Sequence, residues 1–338
     1  HGNDGGGSIR IPSSACGLFG LKPSRGRVSA HPAATLLADP RGCHHVLARS
    51  VRDSAALLDL TAGAMPGDPY EIARPSRPWV EEVGAPPGPL RIAMVLTAPG
   101  GEVAHPECVA AVEATAATLS ELGHEVVEAD PPWSVEQLMI GMSSLMATPM
   151  AVEVDARLAQ LGRGLADDDL EPFSRVLYDS AAGTTGKGLV TALVALEEMA
   201  RSMGEFMIGH DLLLSPTLAQ PTPPLGYLDT SNIEAMFERA ATYSAFTSPF
   251  NITGQPAASL PLTVGSNGMP IGVQLVAPFG REDRLIAVSS QVEAAHPWPV
   301  APAWPARSEA GWPDYVESLA HTTVSGTGGA RERRTRRA

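Results

Sequence analysis

Apolar residues recur at helical spacing in two separate parts of the chain. Residues 49–63 (RSVRDSAALLDLTAG) place apolar side chains on one face and end in Gly63. Residues 106–122 have the same spacing and are followed by Gly123. Residues 66–79 are rich in proline and predict a connector. The pattern therefore predicts two amphipathic helices, the first of them followed by a loop.

Short apolar runs of strand length flank the second helix. Residues 90–95 (LRIAMV) and 124–129 (HEVVEA) predict strands, and the order strand, helix, strand indicates an α/β fold. Further strands are predicted at 210–218 and 270–278. Helices are predicted at 282–294 and at 233–251, where the helix runs into a loop. Residues 133–204 predict a mainly helical region with a polar interruption. The region 133–204 is rich in methionine. These methionines are interpreted as core residues, and a role in lining a substrate pocket is the alternative.

Composition excludes several function classes. The 338 residues are 44% hydrophobic, enough for a substantial core, and no apolar run reaches the about 18–20 residues of a membrane span. The net charge of −13 disfavours nucleic acid as a partner. Three widely spaced cysteines argue against a disulfide framework and favour a cytoplasmic location. Cys16 lies in an apolar run and is predicted to be buried, whereas residues 316–338 predict a disordered, Gly/Arg-rich tail.

The densest motif stands at the start of the chain, where Gly5, Gly6 and Gly7 precede Ser8. Consecutive glycines allow main-chain N–H groups to converge on one anion, either a phosphate or the oxyanion of an attacked carbonyl. A phosphate-binding loop needs Lys and then Ser or Thr after its glycines, and Ser-Ile-Arg stands here instead. The apolar residues that follow disfavour a flexible linker. The motif therefore predicts Ser8 as a nucleophile beside oxyanion-binding amides.

A serine nucleophile needs a general base, and the residues alone leave its identity open. The α/β-hydrolase elbow G-x-S-x-G is absent because Arg10 takes the place of the last glycine. Nine histidines are present, so a Ser-His-Asp arrangement stays an alternative. Cys43, His44 and His45 stand together with His31 nearby, but no second pair of ligands accompanies them, so they are interpreted as structural and no metal is expected.

The stretch GNDGGGSIRIPSSACGLFGLKPSRGRVS closely resembles the second half of the amidase signature, the motif of the Ser-Ser-Lys amidohydrolases. The matching positions are Gly2, Asp4, Gly6, Ser8, Ile9, Arg10 and Pro12. Later segments, among them HDLLLSPTL and FTSPFNITGQPAASLPL, resemble the family as well, up to about residue 312. The resemblance implies an amidase domain over residues 1–315, whose mixed, twisted sheet is covered by helices on both faces.

The resemblance also implies a role for each residue of the loop. Ser8 would be the residue that is acylated by the substrate. The oxyanion would be bound by the backbone N–H groups of four successive residues, Gly5, Gly6, Gly7 and Ser8. Asp4 and Arg10, of opposite charge, would pair and hold the loop rigid. The substrate would be a small-molecule amide, and no cofactor is expected.

In this family a lysine acts as the base and a second serine relays the proton, and both stand upstream of the nucleophile. Because the chain begins within the motif, these residues would precede His1, and we expect the N-terminal part of the family to be missing. The chain has two lysines, and neither is favoured as the base: the resemblance places Lys22 in a structural turn, and Lys187 is predicted to lie in a polar loop. We therefore expect an amidase as the parent protein and little or no activity from residues 1–338 alone.

Within the family, residues 1–27 and 215–229 (SPTLAQPTPPLGYLD) look most similar to amidases of the 6-aminohexanoate cyclic dimer group. Two alternatives stay open: the glutaminase subunit of a tRNA-dependent amidotransferase, which carries the same signature, and a non-catalytic, truncated pseudoenzyme. A homodimer is left open as well. Neither a nucleic acid nor a membrane is expected as a partner.

Overall fold

The computed structural model describes residues 1–32 and 34–300 of the chain. Strands in this part of the chain are β1 (Gly2–Asp4), β2 (Phe19–Lys22), β3 (Cys43–His45), β4 (Leu47–Ala48), β5 (Arg91–Met94), β6 (Glu125–Glu128), β7 (Leu212–Pro216), β8 (Ala257–Val264) and β9 (Pro270–Val276). Helices are α1 (Arg10–Cys16), α2 (Val51–Thr61), α3 (Pro106–Glu121), α4 (Val135–Leu161), α5 (Pro172–Ala181), α6 (Gly186–Phe206), α7 (Ile233–Tyr243), α8 (Pro249–Thr253) and α9 (Glu282–Ala295). The tail predicted at residues 316–338 lies outside the described residues.

Seven of these strands form one mixed sheet in the order β4-β2-β8-β9-β7-β5-β6. β5 pairs in parallel with β6 and β7, as expected for strands that are joined through helices. The remaining pairs of the sheet are antiparallel. β1 and β3 form a separate antiparallel pair in which Asp4 lies opposite Cys43. The predicted α/β class with a mixed sheet is confirmed.

Helices cover both faces of this sheet, as predicted. Leu212 and Leu214 of β7 point into a large core that α2, α3 and α9 complete, whereas Leu213 points to the opposite face, toward α6 and α8. On β2, Phe19 and Leu21 belong to the large core. Because side chains alternate along a strand, the intervening Gly20 faces the second side, where α1 lies.

Several sequence predictions need correction. The region 133–204 forms three helices, α4 to α6, and Lys187 lies in the first turn of α6 instead of in a loop. Helix α1 and strands β1, β2 and β8 were not among the predicted elements. The prediction that Cys16 is buried is wrong, because α1 turns Ser13 and Ser14 toward the sheet and leaves Cys16 exposed. The methionines of this region differ in burial: Met199 of α6 is buried in the core, whereas α4 carries exposed and partly buried methionines.

None of the helices in residues 1–32 and 34–300 combines the length and the apolar character that a transmembrane helix needs.

Gly20 allows α1 to pack directly on β2, and its substitution tests this contact. A Cβ at Gly20 would lie 2.2 Å from Ser13 Oγ. We expect Gly20→Ala to lower the free energy of unfolding by about 1–3 kcal/mol, measured by urea denaturation of residues 1–338. Gly204→Ala is the matched control, because no atom lies within 4 Å of a Cβ in that exposed turn of α6. There we expect a gain of about 0.5–1 kcal/mol, and equal effects of the two substitutions would contradict the packing.

Candidate active site

The predicted site lies in the turn that joins β1 to α1. Residues 5–7 form a bend, and the Ile11 N–H donates to the Gly7 C=O at 2.7 Å, which closes the turn around Ser8. Gly7 has a φ of 134°, and a Cβ there would lie 2.4 Å from Thr247 Oγ1. This position therefore needs glycine. The resulting conformation exposes Ser8 and buries the residue that follows it, Ile9.

The turn leaves a set of backbone donors beside the Ser8 hydroxyl. Within the described ranges, no hydrogen-bond acceptor is paired with the N–H groups of four successive residues, Gly5, Gly6, Gly7 and Ser8. The next N–H, that of Ile9, donates to Asp4 Oδ2 at 3.2 Å. No atom lies within 4 Å of where a Cβ of Gly5 would stand, so this side of the turn is open. Unpaired donors next to a hydroxyl can stabilise the negative charge that develops on an attacked carbonyl.

Asp4 and Arg10 form an ion pair beneath the turn. Arg10 Nε and Nη2 donate to the two Asp4 carboxylate oxygens at 3.0 and 2.9 Å, and both side chains are fully buried. Burial alone would raise the pKa of Asp4, but the charge and the hydrogen bonds of Arg10 outweigh it and lower the pKa to about 2. Asp4 is therefore ionised at neutral pH, and the pair fixes the two ends of the turn.

Residues far along the chain complete the hydrogen bonding of Arg10. Nη1 donates to the Thr247 C=O at 2.8 Å and to Gln274 Oε1 at 2.9 Å, and Nη2 donates to Asn251 Oδ1 at 2.6 Å. Together with the two bonds to Asp4, these contacts use all five guanidinium donors. Asn251 Nδ2 in turn donates to the carboxylate and to the backbone C=O of Asp4, both at 2.8 Å.

Thr247 supports the glycine loop directly, since its Oγ1 donates to the Gly6 C=O at 2.7 Å. Sequence reasoning missed Thr247, Asn251 and Gln274. A usable signal was present for Gln274, because it interrupts the apolar run PIGVQLVAP, and it is fully buried. A polar residue at an inward position of a buried strand must find a partner, which here is Arg10.

The lysines and histidines in the described part of the chain do not hydrogen-bond to Ser8. Lys22 ends β2 instead of lying in a turn, is fully buried, and donates from Nζ to the Pro23 C=O at 2.9 Å. Burial lowers the pKa of Lys22. Lys187 is exposed on α6, and the buried His45 bonds to Ser54, with a pKa that burial lowers to about 4.

Within the described residues, no group of three or more His, Cys, Asp or Glu side chains is placed to hold a metal ion. Cys43 and His45 lie on β3 with their side chains buried. His44, between them, points to the opposite side of the strand and is only partly buried.

Two surface grooves lie away from the turn. One, of about 310 Å³, runs between α3 and α9 and includes Glu107 and His296. The other, of about 460 Å³, lies beside the end of α6 and includes Gln255 and Phe279. Ser8 belongs to neither groove.

Comparisons with known proteins agree with the motif. A family model described as Amidase matches residues 1–286. The 6-aminohexanoate-cyclic-dimer hydrolases of Paenarthrobacter ureafaciens and Pseudomonas sp. (strain NK87) are each 40% identical over 310 residues, which cover 88% of this chain and 63% of theirs. The acylamidase of Rhodococcus erythropolis is 32% identical over 304 residues, covering 88% and 61%. The chain thus spans less than two thirds of the length of these relatives.

Solved structures give the same result. The structure of 6-aminohexanoate cyclic dimer hydrolase complexed with substrate aligns with a TM-score of 0.81 and 38% identity, covering 88% of this chain and 64% of that one. A bacterial aryl acylamidase aligns with a TM-score of 0.74 and 25% identity, covering 88% and 62%.

The low pKa of Asp4 gives a pH-dependent prediction. A carboxyl whose pKa falls to about 2 on folding contributes stability that is present above about pH 4 and is lost as the pH falls toward about 2. We expect this acid-sensitive part to amount to about 2 kcal/mol, and to be absent in Asp4→Asn. At neutral pH Asp4→Asn should cost about 3–5 kcal/mol, because it leaves the Arg10 charge buried and unpaired. Urea denaturation between pH 2 and 7 measures both effects.

Asp39→Asn is the matched control. Asp39 also binds an arginine, Arg41, with both carboxylate oxygens, but its side chain remains 33% exposed. Water can replace part of the lost interaction there, so the cost should be smaller. A cost of Asp39→Asn at neutral pH that equals or exceeds that of Asp4→Asn would contradict the assigned importance of the buried pair.

Proposed function

Because the chain belongs to the amidase signature family, whose model matches residues 1–286, we propose that it carries the nucleophilic part of an amidohydrolase that acts through Ser8. The observations that support this proposal are that Ser8 is exposed and that the N–H groups of residues 5–8 have no acceptor within the described ranges. The buried Asp4–Arg10 pair supports it, since it holds that turn in one conformation.

In the proposed reaction Ser8 Oγ attacks the carbonyl carbon of the substrate amide. The carbonyl oxygen becomes negatively charged, and the N–H groups of residues 5–8 stabilise it. The C–N bond then breaks as the leaving nitrogen takes up a proton, and Ser8 carries the acyl group. Attack of water on this ester releases the carboxylic acid and restores the hydroxyl.

Ser8 needs a base for the first step, because an unactivated serine is a weak nucleophile at neutral pH. Neither lysine of the chain is bonded to Ser8, and Lys22 is occupied with the Pro23 C=O. In this family a lysine and a second serine stand upstream of the nucleophile. We propose that this lysine is the base and that this serine relays the proton. Residues 1–338 alone would then have little or no activity.

The substrate class follows from the relatives. Two 6-aminohexanoate-cyclic-dimer hydrolases at 40% identity, and the solved complex with substrate at 38%, favour a small-molecule carboxamide of that type. The likeness to a glutamyl-tRNA(Gln) amidotransferase component from Thermotoga maritima, at 20% identity, concerns the fold alone. A glutaminase component therefore has less support than a free amidase.

The proposal is tested by supplying the upstream segment. We expect residues 1–338 to hydrolyse 6-aminohexanoate cyclic dimer when they follow the part of the P. ureafaciens hydrolase that precedes the stretch matching His1, and to show no turnover alone. Ser8→Ala should lower kcat/KM of the fusion at least about 10⁴-fold. Ser143→Ala, at an exposed serine of α4, should leave it unchanged. Amine release measures each rate.

Two outcomes would contradict parts of the proposal. Turnover by residues 1–338 alone that Ser8→Ala abolishes would refute the need for the upstream lysine. A folded fusion whose Ser8 is not labelled by a fluorophosphonate would refute the nucleophile and favour a non-catalytic role.

A further inference from the structure

Helix α4 contains a proline, Pro149, in its interior. Proline has no N–H, so the C=O of Leu145, four residues earlier, loses its partner within the helix, and the proline ring crowds it. Leu145 is fully buried. A buried carbonyl without a donor is unfavourable, so this acceptor needs a partner from outside the helix.

Arg41 supplies that partner. Its Nη2 donates to the Leu145 C=O at 2.7 Å, and its side chain is 4% exposed. Asp39 balances the charge, accepting from Arg41 Nε and Nη2 at 2.9 Å each. A charged donor binds such a carbonyl more strongly than a neutral one. The segment that leads into β3 is thereby fixed to the middle of α4.

The same segment is bound to the residues that hold the glycine turn. The Arg41 C=O accepts from Asn251 Nδ2 at 3.2 Å, and Asn251 also contacts Asp4 and Arg10. Two residues after Arg41, Cys43 lies opposite Asp4 in the β1–β3 pair. Arg41 therefore connects the support of Ser8 with helix α4.

Met142 of α4 lies close to both Arg41 and the glycine turn. Arg41 Nη1 is 3.9 Å from Met142 Sδ. Met142 Cε lies 3.4 Å from where a Cβ of Gly6 would stand. The thioether thus covers the turn on the Gly6 side, while the Gly5 side is open.

We propose that Arg41 is a positioning residue: by binding the carbonyl that Pro149 leaves unpaired, it fixes Met142 as an apolar wall beside Ser8 that limits the bulk of the substrate. This inference rests on the proposed function, because a wall selects substrates only if an amide binds at Ser8.

A double-mutant cycle on residues 1–338 tests the contact between Arg41 and the Leu145 carbonyl. Pro149→Ala restores an N–H that can reach this carbonyl from within the helix. Arg41→Met should raise the unfolding equilibrium constant in both backgrounds. We expect the factor of increase to be about tenfold smaller in Pro149→Ala than in the wild type, because a factor of this size corresponds to one hydrogen bond from a charged donor. Additive effects would overturn this part of the proposal.

Thiol labelling tests the position of Met142 without any turnover. In Ser8→Cys combined with Cys16→Ser, the remaining cysteines, Cys43 and Cys108, are buried, so the thiol at position 8 reacts alone. The ratio of its rates with fluorescein maleimide and with iodoacetamide reports how much bulk the site admits. We expect Met142→Ala and Arg41→Met each to raise this ratio at least about threefold. Met139→Ala, at a 59% exposed position of the same helix, is the matched control and should not change it.

An unchanged ratio in Met142→Ala would refute the wall, and an unchanged ratio in Arg41→Met would refute positioning through Arg41. A purely structural role of Arg41 would lower stability without changing the ratio. Because neither experiment depends on catalysis, their failure is distinguishable from failure of the amidase proposal, which appears as absence of turnover in the fusion protein.

Discussion

The buried ion pair between Asp4 and Arg10 is the interaction on which the rest of the site depends. Removing two charges from water is costly, and the cost is recovered only when the remaining donors and acceptors are also satisfied. Here every guanidinium donor is used, and the carboxylate additionally accepts from Ile9 and Asn251. The turn between the two charged residues consequently has one conformation, in which Ser8 points outward and the preceding amides stay unpaired. Preorganised donors of this kind need no rearrangement when charge develops on a substrate.

Strands β5, β6, β7 and β9 could be predicted from the sequence because they are short apolar runs bounded by turns, and several of the longer helices could be predicted because of their periodicity. The prediction failed where local pattern carries little information. Helix α1 has only seven residues, and which of its sides faces the sheet is decided by Gly20 on another strand, so Cys16 could not be assigned to the exposed side. Lys187 lies in a segment rich in glycine and threonine that suggests a loop, although it begins a long helix capped by Thr185.

The site was predictable only in part, for the same reason. Ser8, its glycines, Asp4 and Arg10 are neighbours in the sequence, and their pattern was informative. Thr247 and Asn251 approach them only after the chain has folded, so no local motif indicates their role. Gln274 interrupts an apolar run, which signals that it needs a buried partner but not that the partner is Arg10. Arg41 is a similar case, since its partner is the backbone carbonyl of Leu145, at a sequence separation of 104, which Pro149 leaves unpaired within the helix. Such contacts become visible only with coordinates.

The long sequence separation within the Arg10 network also constrains how the protein folds. Arg10 is bonded to Thr247 in the turn before α8, to Asn251 on α8 and to Gln274 on β9, at sequence separations of 237, 241 and 264. Contacts this distant form late, since closing a long loop costs entropy before any bond is made. During synthesis the Ser8 turn must therefore wait until the chain has emerged as far as Gln274. The Ser8 turn therefore becomes ordered only when the sheet is complete, and it is not ordered in partly folded chains.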